Sequence, residues 1–476
     1  MLNVAFVYAP IGHCSFEENL RVVDEDFGRL NPLSLSYAAA IAEKAGHRVT
    51  IVDANALRLT PADTLARLRP FRPDVLGFSL STYMFHNTTR WMKLLRDALR
   101  VPTIAGGVNL WLYPRETLEH EAVDYGVRGF GLRGLPALLD ALERGIDPAG
   151  LPEVVARSTS GEVVVGEVDW KANPYPELPQ PARHLLPNDR YYSIISQRRN
   201  FTVMVTGTGC AFTCRYCAIA PLPRFRNPLD RVMEEITDCV RTYDVREIDF
   251  FDADFFGQRK AAVELCECLV AANLDLEWSC RSRIDILDAS LLELACRAGC
   301  RRIFVGIETP DPRALRAMRK KVRVSDVRLT LETMRRIGIR PLGFFMIGVP
   351  GETHRSALAT IGYAVSLPLD YAQFSRMIPK PGSELHEDLK KRTRADFWAD
   401  YVLGRPVPAR LPNFHSRISE DVIEAYTKLA YLAFYYRPNH VARALLRMRS
   451  WDEISRSART ALRMLTGLKD RDGRKP

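Results

Sequence analysis

Short continuous apolar runs set between amphipathic stretches dominate the first third of the chain. Residues 2–9, 47–54, 74–81 and 101–107 are apolar runs of strand length, and 125–131 is a fifth. Helical spacing fills the gaps at 32–45, 61–68, 91–99 and 135–143. The first of these stops at Gly46, a helix-ending residue. Buried strands alternating with helices predict a parallel, doubly wound sheet. Ligands of such sheets gather outside the carboxyl ends of the strands. Ser79, Ser81, Thr82, Gly106, Gly107 and the turn 128–131 fall at those ends. Across 151–200 the pattern changes. Valine runs flanking Ser160 and Gly161 predict a hairpin, and Pro174, Pro176, Pro179 and Pro181 predict an extended connector.

The alternation then resumes six times. Strands are expected near 202–206, 246–251, 276–283, 301–308, 340–347 and 370–376, with helices at 229–243, 259–272, 289–298, 325–337 and 354–366. Six successive β/α units predict a curved parallel barrel left open, because eight are needed for closure. Chemistry in such barrels sits on the loops after the strands. Beyond about 380 the pattern is mainly helical, with a proline-rich break at 405–412. The expected fold is α/β: a Rossmann-like domain over 1–150, hairpin and linker over 151–200, a partial barrel over 201–385, and a helical basic region over 386–476.

The loop after the first barrel strand carries Cys210, Cys214 and Cys217, spaced C-x3-C-x2-C. Three thiolates on one short loop suit three irons of a 4Fe–4S cluster, leaving the fourth iron open. Structural zinc wants four ligands, usually as two C-x2-C pairs, and no second pair exists here. Gly207 and Gly209 let the backbone bend around such a centre. The other seven cysteines lie mostly within helical or strand patterns and read as buried free thiols. A reducing cytoplasm fits both them and the cluster.

Bulk composition narrows the classes further. The 476 residues suggest two to four domains, with an ordinary 47% hydrophobic content. No apolar run approaches the roughly 18 residues of a membrane span, and the first residues lack signal-peptide features. The net charge of +10 is uneven. Residues 437–476 hold eleven Lys and Arg against four acids, so +7 lies in this tail and +3 in the rest. Arginines flank apolar stripes there (Val441, Leu445, Met448; Ile454, Ala458, Ala461, Leu465). Two readings stand: a helix capping the barrel, or peripheral contact with an anionic membrane. Nucleic acid is disfavoured, since no recognition module accompanies the charge.

Several strand-end segments converge on one family. The cysteine loop, residues 249–255, 280–285, 305–309 and 348–353, with the Gly77 to Thr82 run and Gly106–Gly107 in the first domain, resemble the cobalamin-dependent radical S-adenosylmethionine (SAM) enzymes. That group includes hopanoid and antibiotic methylases and the anaerobic porphyrin cyclase. The resemblance spans roughly residues 1–390. Two features depart from it. The acidic turn usual after the fifth strand is here Arg128-Gly-Phe-Gly-Leu132, and no Asp-x-His-x-x-Gly cobalt motif is present.

The resemblance implies three cofactors: a 4Fe–4S cluster on Cys210, Cys214 and Cys217, SAM, and cobalamin on the first domain. It implies that Arg283 pairs with the SAM carboxylate, against an ion pair with a local acid. Glu308 is expected to bond the SAM ribose or amino group. Tyr216 either packs on adenine or caps the cluster. Gly348, with Pro350 and Gly351, is expected to shape a turn near the adenine, and Glu352 to act as a helix N-cap charge. Ser79, Ser81, Thr82, Gly106 and Gly107 are expected at the cobalamin tail, against ordinary turn chemistry. His13 is a candidate cobalt ligand, against a solvated loop histidine. The implied activity is methylation of an unactivated carbon in a small or lipid-like metabolite, with an external electron donor of flavodoxin or ferredoxin type. The alternative keeps the cofactors but closes a ring or oxidises without methyl transfer. A methylthiolase is excluded by the lack of a second cysteine triad, and a non-catalytic corrinoid carrier leaves the barrel unexplained.

Overall fold

Each expected apolar run becomes a strand of one of two parallel sheets. The computed structural model describes residues 1–11, 28–193, 195–198, 200–408, 410–413 and 415–437. The first sheet has seven strands, in the spatial order Arg48–Asp53, Asn3–Tyr8, Val75–Ser79, Thr103–Gly106, Tyr125–Val127, Val154–Arg157 and Val163–Val165. The first five pair in parallel. The hairpin then adds two antiparallel strands, so this sheet extends to Val165. Alternate side chains of Asn3–Tyr8 enter different cores. Val4 and Phe6 pack with Ala39 and Leu138, while Ala5 and Val7 share a core with Phe85 and Met92. That two-sided burial is why the run reads as continuously apolar. The helix expected from 91 begins earlier, at Phe85, led in by a turn that Ser81 caps. Pro61–Phe71 runs past 68, started by a Thr60–Asp63 capping box.

The second sheet is the open barrel. Its six parallel strands follow chain order: Phe201–Met204, Glu247–Phe250, Glu277–Arg283, Cys300–Glu308, Arg340–Ile347 and Tyr371–Arg376. Ile248, Phe250, Trp278, Ile303, Val305 and Phe345 face the helices in one large core. Their strand neighbours Asp249, Arg281, Phe304 and Phe344 face the lumen by the two-residue alternation. The lumen floor is closed. Glu247 is fully buried, pairs with Arg302, and accepts from the Gln197 and Arg198 amides at 2.9 and 3.0 Å.

An open barrel exposes two strand edges, and both are covered by side chains. At the first edge, Asn31 accepts from the Val203 amide at 2.8 Å, and Arg183 donates to the Val203 carbonyl at 3.0 Å. Arg183 is itself buried and paired with Glu235 at 2.6 Å. At the last edge stands the helix Glu420–Tyr435. The Tyr431 hydroxyl accepts from Phe374 N–H (3.2 Å); that of Tyr435 accepts from Ala372 N–H (3.2 Å) and donates to its carbonyl (2.8 Å).

A strap joins the two sheets. Leaving the last barrel strand, the chain places Ile378, Trp398, Tyr401 and Val402 in the core of the first domain, beside Phe85 and Leu110. Trp398 is fully buried, donates its indole N–H to Pro379 O at 2.8 Å, and meets Tyr83 edge-on at 5.2 Å. Asp396 caps the short helix Phe397–Val402 and accepts from Tyr113 of the first domain at 3.2 Å. No described helix is long and apolar enough to cross a membrane. His13 and, of the basic tail, residues 438–476 lie outside the described residues.

Candidate active site

The cysteine loop follows the first barrel strand and is fastened by the small antiparallel pair Gly207–Thr208 and Phe225–Arg226. The loop's two glycines are required by geometry. A side chain at Gly207 would meet Phe225 O at 2.6 Å, and Gly209 takes φ +75° with Pro223 O at 2.5 Å from its would-be Cβ. Cys210, Cys214 and Cys217 are all free thiols. They feel one another electrostatically; burial pushes Cys210 and Cys214 up, while Lys320 and Arg283 pull Cys214 back. Among the described residues no three Cys, His, Asp or Glu side chains converge as around a single ion. Three thiolates on one short loop suit three irons of a cluster, whereas structural zinc wants four ligands.

Arg283, at the end of its strand, lies beside this loop. Its guanidinium donates to Cys214 Sγ at 3.5 Å and sits 4.0 Å from the Phe212 ring centroid. Its other side forms a bidentate pair with Asp285 at 3.0 and 2.7 Å. The local-acid alternative is thus what the structure contains, with one nitrogen still turned to the cysteines. Behind it, Asp254 accepts from Ser282 Oγ at 3.1 Å, and burial pushes its carboxyl up to about 6.

Glu308 ends the fourth barrel strand with φ +67°, a strained backbone for a residue with a side chain. Its carboxylate accepts from Lys320 Nζ at 2.7 Å and from Tyr216 OH at 3.0 Å. Tyr216 packs against Ala314, Leu315 and Met318, so it ties the cysteine loop to the fourth strand end. Gly306 makes room for this group: a Cβ there would lie 2.5 Å from Glu308 Oε1 and 2.6 Å from Lys320 Nζ. Lys320 is a site residue that sequence reasoning missed. It sits in the run Arg319-Lys-Lys321, which reads as solvated surface, yet its ammonium is buried against Glu308.

The Gly348 turn has φ +87°. Glu352 departs from its expected role. The N-cap of the next helix is Thr353, in a capping box with Ser356. Glu352 instead folds back to accept from Gly348 N–H, because the turn presents that amide to it. Burial raises its carboxyl to about 7, and Oε1 has no hydrogen-bond partner among the described residues.

At the carboxyl edge of the first sheet, Ser79 accepts from Ser34 Oγ at 3.0 Å, and Ser81 caps the following turn at Met84 N. Thr82 is buried and donates to Asn109 Oδ1 at 2.9 Å, which holds the loop from within. Gly107 is demanded by its φ of +93°. Gly106 is not demanded by packing, since its nearest would-be contacts are backbone oxygens at 3.9 and 4.0 Å. The bare edge at Gly106 therefore leaves space for a ligand to approach the backbone, which fits a corrinoid. Glu153, on the hairpin, accepts from Gly134 N at 2.9 Å and Arg133 N at 3.3 Å at the start of the next helix.

Comparison with known proteins agrees with this geometry. The Radical SAM superfamily model matches residues 204–364, and the B12 binding domain model matches residues 21–139. An uncharacterized methyltransferase of Pyrococcus horikoshii is 29% identical over 420 residues, 86% of this chain and 88% of that protein. The anaerobic magnesium-protoporphyrin IX monomethyl ester cyclase of Rubrivivax gelatinosus is 24% identical over 393 residues, 80% of this chain and 70% of that one. Among solved structures, the radical SAM methyltransferase TsrM of Kitasatospora setae, with tryptophan and a SAM analog bound, shares the fold. Its TM-score is 0.62 at 19% identity, over 82% of this chain and 77% of that one.

Proposed function

Given that the chain belongs to the radical SAM enzymes that carry a B12-binding domain, we propose that it methylates an unactivated carbon of a small-molecule substrate. The observation that carries this reading is the contact between the two strand-end regions, where Phe130 of the first domain's 128–132 turn meets Phe225, which fastens the loop of three free cysteines, at 6.2 Å, the two domains being locked together by the strap. When bound, the cofactors supply an electron for SAM cleavage, a hydrogen-abstracting radical and a cobalt-held methyl group. The chain's own residues do the rest. Cys210, Cys214 and Cys217 would hold the cluster. Arg283, held by Asp285, keeps one guanidinium nitrogen at Cys214 for the SAM carboxylate, and Glu308, held by Lys320 and Tyr216, offers a carboxylate to the SAM amino group or ribose. Tyr216 holds Glu308 in position, and the Gly348 turn, packed on Ile423 and Asn413, would lie beside the adenine. Ser79, Ser81, Gly106 and Gly107 form the cobalamin edge. Below the site the lumen is filled: Phe304 packs on Ile195 and Leu342, and Arg281, neutralised by Asp249 at 2.8 Å, stacks on Phe251 and Phe304, which keeps water from the barrel side.

Similarity to the cyclase over most of the chain supports a second reading, ring closure without methyl transfer. Anaerobic reconstitution tests both. Optical spectra should show cluster and corrinoid, dithionite and SAM should give 5′-deoxyadenosine, and the product should gain one CH2. A product altered in oxidation state without that gain selects the cyclase reading. A protein that takes up no corrinoid removes both.

A further inference from the structure

The functional reading requires an electron from outside, and the surface over the cysteine loop has the chemistry to receive its carrier. Residues 206–229 contain three arginines and no acid, and residues 312–325 contain six cations and no acid. The two segments are joined: Arg215 N–H donates to Met318 O at 3.2 Å and its guanidinium to Ala317 O at 3.3 Å. Of these cations, Arg215 and Arg319 are answered by Glu384 and Asp388, and Lys320 by Glu308. Arg224, Arg313, Arg316, Lys321 and Arg323 are exposed and have no ion-pair partner among the described residues. Since residues 1–436 carry only +3 in all, the remainder of the body is net acidic and the basic charge is concentrated here. Between Arg215 and Arg224 in the chain lie residues 218–222, which follow Cys217 directly and present Ile219 at 38% exposed. An apolar centre ringed by charge of one sign is how a transient protein interface is built, the charge steering the encounter.

We propose that this surface, with Ile219 at its centre and Arg224, Arg313, Arg316, Lys321 and Arg323 around it, is the docking face for an acidic one-electron carrier protein. The proposal rests on the functional reading above. One electron leaves the reduced carrier and one enters the cluster; no proton is passed and no bond is made.

The test uses the reconstituted holoenzyme and a fluorescently labelled, oxidised bacterial flavodoxin as the acidic probe. Binding to the wild type should weaken as salt rises. The triple variant Arg316→Glu, Lys321→Glu, Arg323→Glu should bind about tenfold or more weakly at low salt and lose most of the salt dependence. The milder Gln triple should fall between the two, and Ile219→Asp should weaken binding with its salt slope kept. Cleavage of SAM driven by dithionite, which needs no docking, should stay within about twofold of wild type in each case. The paired reversal Arg67→Glu, Arg69→Glu on the first domain should leave binding unchanged. The proposal is overturned if the triple variant binds as tightly as wild type, or if the first-domain reversal weakens binding as much. Salt-dependent carrier binding without dithionite-driven 5′-deoxyadenosine would uphold the docking face and sink the catalytic reading. Dithionite-driven cleavage without carrier binding would do the reverse.

Discussion

Glu308 and Glu352 show how single residues bear strain and buried charge for the site. Glu308 keeps φ +67° although such a backbone costs roughly 1–3 kcal/mol, which points to a position held for use. Gly306 makes that position available. In Gly306→Ala the new methyl meets the buried, paired ends of Glu308 and Lys320, so the fold should lose about 1–3 kcal/mol. The Glu308–Lys320 pair must shift, and SAM affinity should fall about 10- to 100-fold with iron content unchanged. Equilibrium dialysis with SAM beside urea unfolding separates the two effects; unchanged affinity would remove Glu308 and Lys320 from the SAM site. Glu352 makes a pH-dependent contribution. Burial raises its folded carboxyl from 4.5 to about 7, so between those values the folded state binds more protons than the unfolded chain. Stability must then fall as pH rises through that window, by up to about 3 kcal/mol. Glu352→Gln, uncharged throughout, should match wild type near pH 5 and exceed it near pH 8; a gap that does not change with pH would contradict the raised value. The cysteines, Arg283 and Glu308 were legible in sequence because each ends or follows a strand. Lys320 was not, because its partner lies twelve residues back, beyond the intervening helix Pro312–Ala317, in a contact that no local periodicity encodes.

At the scale of elements, the six barrel strands fall within a residue or two of their sequence-based bounds, since each is an apolar run closed by a polar or glycine-rich end. How the barrel's open edges are satisfied was not legible. Unpaired strand edges invite association with other chains, and here the last edge is answered by two tyrosines four residues apart on one helix. The match is metric: four helical residues rise about 6 Å, and two strand residues about 6.6 Å, so Tyr431 and Tyr435 reach the Phe374 and Ala372 amides in register. Their rings lie nearly parallel, 6.3 Å apart. The sequence shows both tyrosines but not the strand that they meet, almost sixty residues earlier. Tyr435→Phe should leave the Ala372 amide and carbonyl without this partner and cost about 1–3 kcal/mol in chemical unfolding. Pairing it with Tyr431→Phe should add aggregation visible by light scattering. A loss below about 0.5 kcal/mol for the double variant would show that the edge is satisfied another way.

At the scale of the whole molecule, the two sheets hold a fixed relation because the strap places side chains of the barrel's continuation inside the core of the first domain. Sequence spacing could not foretell this. The helix Phe397–Val402 is six residues long, too short to show a period, and its apolar residues Trp398, Tyr401 and Val402 complete a core built mostly from residues before 125. The functional reading needs that rigidity, since a methyl held on the first domain and a carbon activated in the barrel must meet within bonding reach. Trp398→Ala removes a fully buried indole and its bond to Pro379 O, which should cost about 3–5 kcal/mol and loosen the strap before the barrel. The cysteine loop is held to the strap upstream of Trp398, by Arg215 on Glu384 and Asp388, and among the described residues Arg283, Glu308 and Lys320 are bonded to Asp285, Tyr216 and one another rather than to the strap's indole. Dithionite-driven cleavage of SAM should therefore remain within about threefold of wild type, while methylated product falls about 100-fold, because a displacement near 1 Å is enough for such a loss. If product and 5′-deoxyadenosine instead decline together, the strap stabilises the barrel and does not set the distance between the two domains' ligands.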